Sequence, residues 1–298
     1  MKKGLTSLEK QEIVQFADWM LQIGEGRIQS IFETNDTDAS WIEIPDDMLI
    51  HCDSNNGIEA LFLATYPNFS INYNNPDYLR ERAIITPRNV IVNEINNYAV
   101  DLLPGDKKVY LSFDTISHDS GTNENIDLLY PTEFLNQLEF SGLPTHELVL
   151  KVDMPIILLR NLNQTCGLCN GTRLMVTKLF DRLIEAEILT GNNIGHKVFI
   201  PRIISTVTEH KWPFKLKRRQ FPVKPCYAMT INKSQGQSLN QVGIYLSDPV
   251  FTHGQLYVAI SRVTSRHNLK FVIRNNEDIP NNYTKNIVFK DVLKNLWS

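Results

Sequence analysis

The sequence predicts an α/β fold in which a small β-barrel interrupts a layer of strands and helices. Three observations predict it. Short buried strands run into helical patterns both near residue 83 and again after residue 226, whereas residues 147–204 carry only short strand-like runs between Gly or Asn turns. At 298 residues and 42% hydrophobic content, the chain is also long enough to bury a sizeable core.

The elements follow in chain order. Thr6 and Glu9 form a capping box ahead of Ile13, Ala17, Met20 and Leu21, and Gly24 supplies a stop, so the spacing predicts an opening amphipathic helix. From Gly26 to Arg82 the text is rich in Asn, Asp and Pro, with apolar islands such as Trp41 to Ile44 and a small helix around Ile58 to Tyr66. That stretch predicts irregular connection. Ala83 to Thr86 reads as a buried strand entering the turn Pro87-Arg88-Asn89, after which Val92, Ile95, Ala99 and Leu102 mark the inner face of a helix. Residues 104–142 have no clean periodicity and predict loop with short strands. Leu148 to Val152, Ile156 to Leu159, Leu174 to Val176, Ile184 to Ile188 and Val198 to Ile204 predict the five strands of the barrel. The α/β pattern then resumes with strands at Tyr227 to Ile231 and Val242 to Leu246, a helix over Gly254 to Val263 and a last strand at Leu269 to Ile273.

Composition excludes some classes and favours one partner. No apolar run approaches the roughly 20 residues that span a bilayer, and the amino terminus lacks the apolar core of a signal peptide, so no membrane association is expected and an intracellular location is the default. Cys166 and Cys169 form a C-x-x-C pair, but Cys52 and Cys226 stand alone, so no metal site is expected. The net charge of −3 is unevenly spread: His196 to Arg274 holds 13 Lys or Arg against Glu209 and Asp248. A polyanion is the natural partner for that stretch, the alternative being a solvated basic face.

Two segments carry the chemistry. Thr230 to Leu239 sets the donors Lys233, Ser234 and Gln235 beside Gly236 directly after an apolar strand, where small polar groups suit phosphate oxygens. A polar strand-end turn without a ligand is the alternative. The second segment, Phe251 to Val263, read as one helix, puts Leu256, Ile260 and Val263 on one face and Gln255 with Arg262 on another. Such an arginine can neutralise a transferring γ-phosphate, or simply cap the helix.

Together, Lys-Ser-Gln-Gly at 233–236 and Tyr-Val-Ala-Ile-Ser-Arg-Val at 257–263 resemble motifs five and six of the Pif-type (petite integration frequency) DNA helicases, relatives of RecD in superfamily one. Ile85 to Asn89 resembles the family's motif four, and Gly167 to Arg173 its N-G-T turn. Tyr130 to Asn136 and Trp212 to Pro222 resemble the plant, Helitron-encoded members. The resemblance implies a second RecA-like lobe of P-loop NTPase type, lacking the P-loop itself, with an inserted Src-homology-like barrel. It divides the chain into 1–82 (end of a first lobe and linker helices), 83–142 (second lobe), 143–215 (barrel) and 216–298 (second lobe resumed).

In such helicases two lobes sandwich ATP and Mg²⁺ while single-stranded DNA crosses both. Carried over by position, Arg262 is the arginine finger, Gln255 its polar support, and Lys233, Ser234, Gln235 and Gly236 couple nucleotide to DNA, with Arg88 a candidate phosphate sensor. Asn170, Thr172 and Thr230 fall to the DNA side. Lys215, Lys217, Arg218 and Arg219 join them, because they interleave with Trp212 and Phe214 in a way that suits phosphate contact plus base stacking, a basic edge strand being the alternative. Asn232 stands where the family usually has His, and Asp153 where it has Gly. None of the 14 glycines begins G-x-x-x-x-G-K-[ST], and no apolar strand ends in Asp-Glu. The expectation is therefore the C-terminal portion of a 5′ to 3′ helicase, nuclear in location, inactive by itself and completed by a first lobe in cis or trans. The rival expectation is a non-catalytic binder of single strands.

Overall fold

The structure, a computed structural model, describes residues 6–28, 38–53, 56–117, 129–140, 142–208, 211–275 and 279–291. The chain forms two compact units. One comprises residues 1–72, 81–99 and 227–298, and the other residues 73–80 and 100–226. Residues 100–142 and 216–226, assigned to the lobe in the sequence-based division, thus cluster with the barrel.

The first unit is built on four strands in the order Ala228–Thr230, Arg82–Thr86, Gln241–Leu246, Leu269–Ile273. Every adjacent pair is parallel, with Ala228 opposite Ile84 and Val242 opposite both Ala83 and Leu269. Parallel sheets are covered on both faces, which accounts for the continuous apolar runs, and Ile84, Ile85, Ile244 and Phe271 are indeed solvent-free. The helix Asn89–Leu102 buries Val92, Ile95 and Ala99 as its spacing predicts, whereas Leu102 remains exposed. Gly243 is required by the helix Gly57–Thr65: a Cβ there would stand 2.3 Å from the Thr65 hydroxyl.

The opening helix, Ser7–Gly24, has the predicted capping box at Thr6 and Glu9. Its buried side chains are Phe16 and Ile23, so the predicted apolar face is corrected: Ile13 and Leu21 point to solvent. The island at Trp41 belongs to a strand, Ala39–Glu43, paired antiparallel with Tyr283–Ile287.

The second unit carries a five-stranded antiparallel sheet ordered Val223–Pro225, Pro155–Leu158, Arg173–Leu179, Leu183–Ile188, Lys197–Pro201. A three-stranded sheet orders Ile203–Thr208, Lys215–Gln220, Phe113–Ile116, and a further pair joins Lys108–Leu111 to Glu147–Leu150. The single strand predicted from Val198 to Ile204 is two, in different sheets, dividing after Pro201, which has no N–H for a ladder. Under the three-stranded sheet, Ile116, Leu135, Phe140, Leu143, Phe214 and Leu216 form a core. Asp153 takes a positive φ of 67°, a backbone region that residues other than glycine seldom adopt.

Candidate functional site

In the first unit, the strands Arg82–Thr86 and Ala228–Thr230 end side by side, with Thr86 opposite Thr230. Ligands of parallel α/β sheets bind beyond such carboxyl ends. From Thr230 the chain enters one helical turn, Ile231–Ser234, and then Gly236 at φ +77°, a backbone conformation that glycine adopts without strain. Lys233 is half-buried, Gln235 and Gly236 are exposed, and Ser234 is buried with its hydroxyl donating to the Ile231 carbonyl. Ser234 is therefore corrected from a phosphate donor to a lock within the turn. Asn96 fixes the strand that feeds this turn: its Oδ1 accepts from the backbone N–H groups of Tyr227 and Ala228, and its Nδ2 donates to the Ala228 carbonyl.

Arg262 meets this turn. Its helix is shorter than predicted, Gln255–Ile260, so Arg262 lies just beyond its end. The Arg262 Nε donates to the Val258 carbonyl at 2.8 Å, one terminal nitrogen donates to the Ser234 and Gln237 carbonyls at 3.3 and 3.2 Å, and the other to the Ser261 hydroxyl. The Arg262 carbonyl in turn accepts from the Leu239 N–H. No carboxylate pairs with it among the described residues. Burial pushes the Arg262 pKa down from its ordinary value, with the neighbouring Tyr257 pulling it back up; the guanidinium stays charged, as arginine does in proteins. A half-buried cation held only by neutral acceptors leaves an excess positive charge at the turn.

Gln255 does not stand beside it on an exposed face, and that expectation is corrected. The Gln255 side chain is buried, and its Oε1 accepts from the N–H groups of Phe251 and Thr252, tying the preceding loop to the start of the helix. Arg88 pairs with Asp248 at 3.0 Å across exposed surface. Two polar atoms missed by sequence reasoning lie in the same segments: the Thr86 hydroxyl and the Gln237 Oε1 are buried without a partner. Thr86 sits inside the Ile-Thr-Pro-Arg run, but nothing in the sequence distinguishes an unsatisfied hydroxyl from a satisfied one.

The DNA-side candidates of the second unit divide sharply. Arg218 is 1% exposed, and its Nε and a terminal nitrogen clasp the Asp114 carboxylate at 2.7–3.1 Å; further bonds reach the Leu135 and Pro144 carbonyls. It is a core ion pair, and its assignment to DNA is corrected on that ground. Lys215 and Arg219 are exposed and Lys217 half-buried on the opposite face of the same strand. Thr172 spends its hydroxyl closing a turn, donating to Gly167 and accepting from Cys169, so it too is corrected, while Asn170 remains exposed. Cys166 and Cys169 are free thiols in that turn, and among the described residues no group of three metal-ligating side chains occurs. Nor, among the described residues, is any helix long and apolar enough to cross a membrane. A pocket of about 280 Å³ lined by His51, Cys52, Arg274 and Asn281 contains none of the candidate residues.

Comparison with known proteins finds two family models and several relatives. The family model described as DNA helicase Pif1, 2B domain, matches residues 133–179, and a model described as Helicase matches residues 216–295. The chain is 30% identical over 197 residues to the ATP-dependent DNA helicase PIF1 of Danio rerio, covering 62% of this chain and 27% of that protein. It is 35% identical over 131 residues to PIF1 of Xenopus laevis, covering 42% of this chain and 19% of that protein. The chain thus spans about a quarter or less of these relatives. Among solved structures, it resembles Pif1 helicase from Candida albicans with a TM-score of 0.57 at 20% identity, covering 95% of this chain and 58% of that one. It also resembles Bacteroides Pif1 bound to ssDNA, with a TM-score of 0.50 at 20% identity over 82% of this chain and 53% of that one. The α/β fold resembles that of Pif1 helicases, and over the matched stretches the sequence is similar to ATP-dependent DNA helicases of that type.

Proposed function

We propose that this chain is the C-terminal portion of an ATP-dependent DNA helicase, and that Arg262 is its arginine finger. The observation that carries the reading is the guanidinium of Arg262 fixed against the Ser234 to Gln237 turn, at the carboxyl ends of parallel strands, by neutral acceptors alone. As charge builds on the γ-phosphate oxygens during hydrolysis, the fixed cation lowers the barrier without reorganising. Lys233, Gln235 and Gly236 then form the coupling turn: a movement at Arg262 is transmitted directly to backbone that follows Thr230. Gln255 takes part only as a positioning residue, since it fastens the Phe251 and Thr252 backbone to the start of the helix that delivers Arg262.

The unpartnered Thr86 hydroxyl and Gln237 oxygen fit a polar ligand at this edge. In this reading the phosphate loop and the metal carboxylates come from a first RecA-like lobe in cis or trans. Single-stranded DNA is the polymer on which the motor acts, with 5′ to 3′ polarity and a nuclear role in repair, recombination, telomere maintenance or Helitron transposition as the family's range. A non-catalytic strand binder is the second reading, favoured by the basic face of the second unit.

The test is steady-state hydrolysis by a protein containing this chain together with the other lobe. Arg262→Ala is expected to lower kcat by about 10³-fold or more with little change in the KM for ATP, on the scale of arginine fingers. Unchanged turnover removes the assignment.

A further inference from the structure

The three-stranded sheet of the second unit has one face that its own core does not explain. Strand parity sorts its residues. Asp114, Ile116, Leu216 and Arg218 point inward and are buried. On the other face, the register sets Phe113, Arg219 and Ile204 in one row across the sheet, and Thr115, Lys217 and Thr206 in the next. Phe113 and Ile204 are each 66% exposed, two large apolar side chains flanking Arg219 in one row open to solvent. Neither row contains an acid. Lys217 and Arg219 form no ion pair among the described residues, and Lys215 continues the line on the same strand.

Arg202 lies close enough to feel Arg219. Its pKa is held below the ordinary value by burial first and by the nearby Arg219 second, while its side chain lies over the Phe221 and Tyr110 rings. Cations two residues apart on a strand stand roughly 7 Å apart, a repeat that suits successive phosphates of an extended polymer. An aromatic ring with a free face in line with them suits an unstacked base, which every sequence offers.

We infer that single-stranded nucleic acid lies across this face, its phosphates on Lys217 and Arg219 and a base stacked on Phe113. Duplex fits less well, because its bases present no free face to the ring. The inference rests on the strand-binding part of the function proposed above and not on the chemistry at Arg262.

The experiment measures binding of the 298-residue chain to a fluorescently labelled oligo-dT by anisotropy over a series of salt concentrations. Phe113→Ala is expected to weaken binding about tenfold or more, while Phe113→Tyr keeps the parent affinity. Lys217→Ala and Arg219→Ala each lower the slope of log K against log salt by about 0.7, one phosphate contact apiece. Lys178→Ala, whose cation is already paired with Glu185, leaves the slope unchanged. If the parent binds and the Phe113, Lys217 and Arg219 variants match it, the strand lies elsewhere and this inference is overturned while the strand-binding function stands. If the parent chain does not bind oligo-dT at low salt, both are overturned.

Discussion

The strand Lys215–Gln220 and the turn after the helix Gln255–Ile260 each present an arginine that the sequence marks as functional, and the structure treats the two in opposite ways. Arg218 is enclosed and neutralised, its guanidinium bonded to Asp114 and two carbonyls. Arg262 is enclosed in part and not neutralised, because every acceptor it meets is a carbonyl or a hydroxyl. In the function proposed above, what separates the structural Arg218 from Arg262 is not hydrogen-bond count but whether the charge is already answered. An answered charge holds a core together. An unanswered one has a use only when an anion arrives.

The comparison can be broken by stability measurements. Arg218→Ala leaves the Asp114 carboxylate buried and alone, and is expected to cost about 3–5 kcal/mol in chemical denaturation. Arg262→Ala removes hydrogen bonds to carbonyls near the surface and is expected to cost about 1 kcal/mol. Equal losses would mean that the two arginines do the same job. At the small end, Arg88→Ala deletes an exposed pair with Asp248 and should change stability by less than about 1 kcal/mol. A larger loss would show that this pair, and not a phosphate, is what Arg88 serves.

Much of the lobe was legible in the sequence because its signals are local. The strand, turn and helix at Ala83 to Ala99 and the capping box at Thr6 follow from spacing within a few residues. The motif residues Lys233, Gly236 and Arg262 converge because the chain returns twice to the same end of a parallel sheet. What escaped was set by distant partners. Arg218 and Arg219 are chemically alike and adjacent, and only the position of Asp114, 104 residues away, decides which of them turns inward. Polar residues on the inner face of that strand, Arg218 and Gln220, erase the alternation that would otherwise announce it. The strand at Ala39–Glu43 finds its partner at Tyr283–Ile287, a pairing with no local signature. Spacing along one helix read through to Val263 sets Gln255 beside Arg262, whereas the helix ends at Ile260 and the Gln255 side chain turns back to the Phe251 and Thr252 N–H groups.

The most direct test of an unanswered charge at Arg262 uses a transition-state mimic. ADP with aluminium fluoride would be titrated into a protein that joins this chain to its nucleotide-binding partner lobe, with ADP alone as the reference. The account predicts that Arg262→Ala weakens binding of the mimic by about 10³-fold while ADP affinity stays within a few-fold. Equal weakening of both ligands, or of neither, would contradict it.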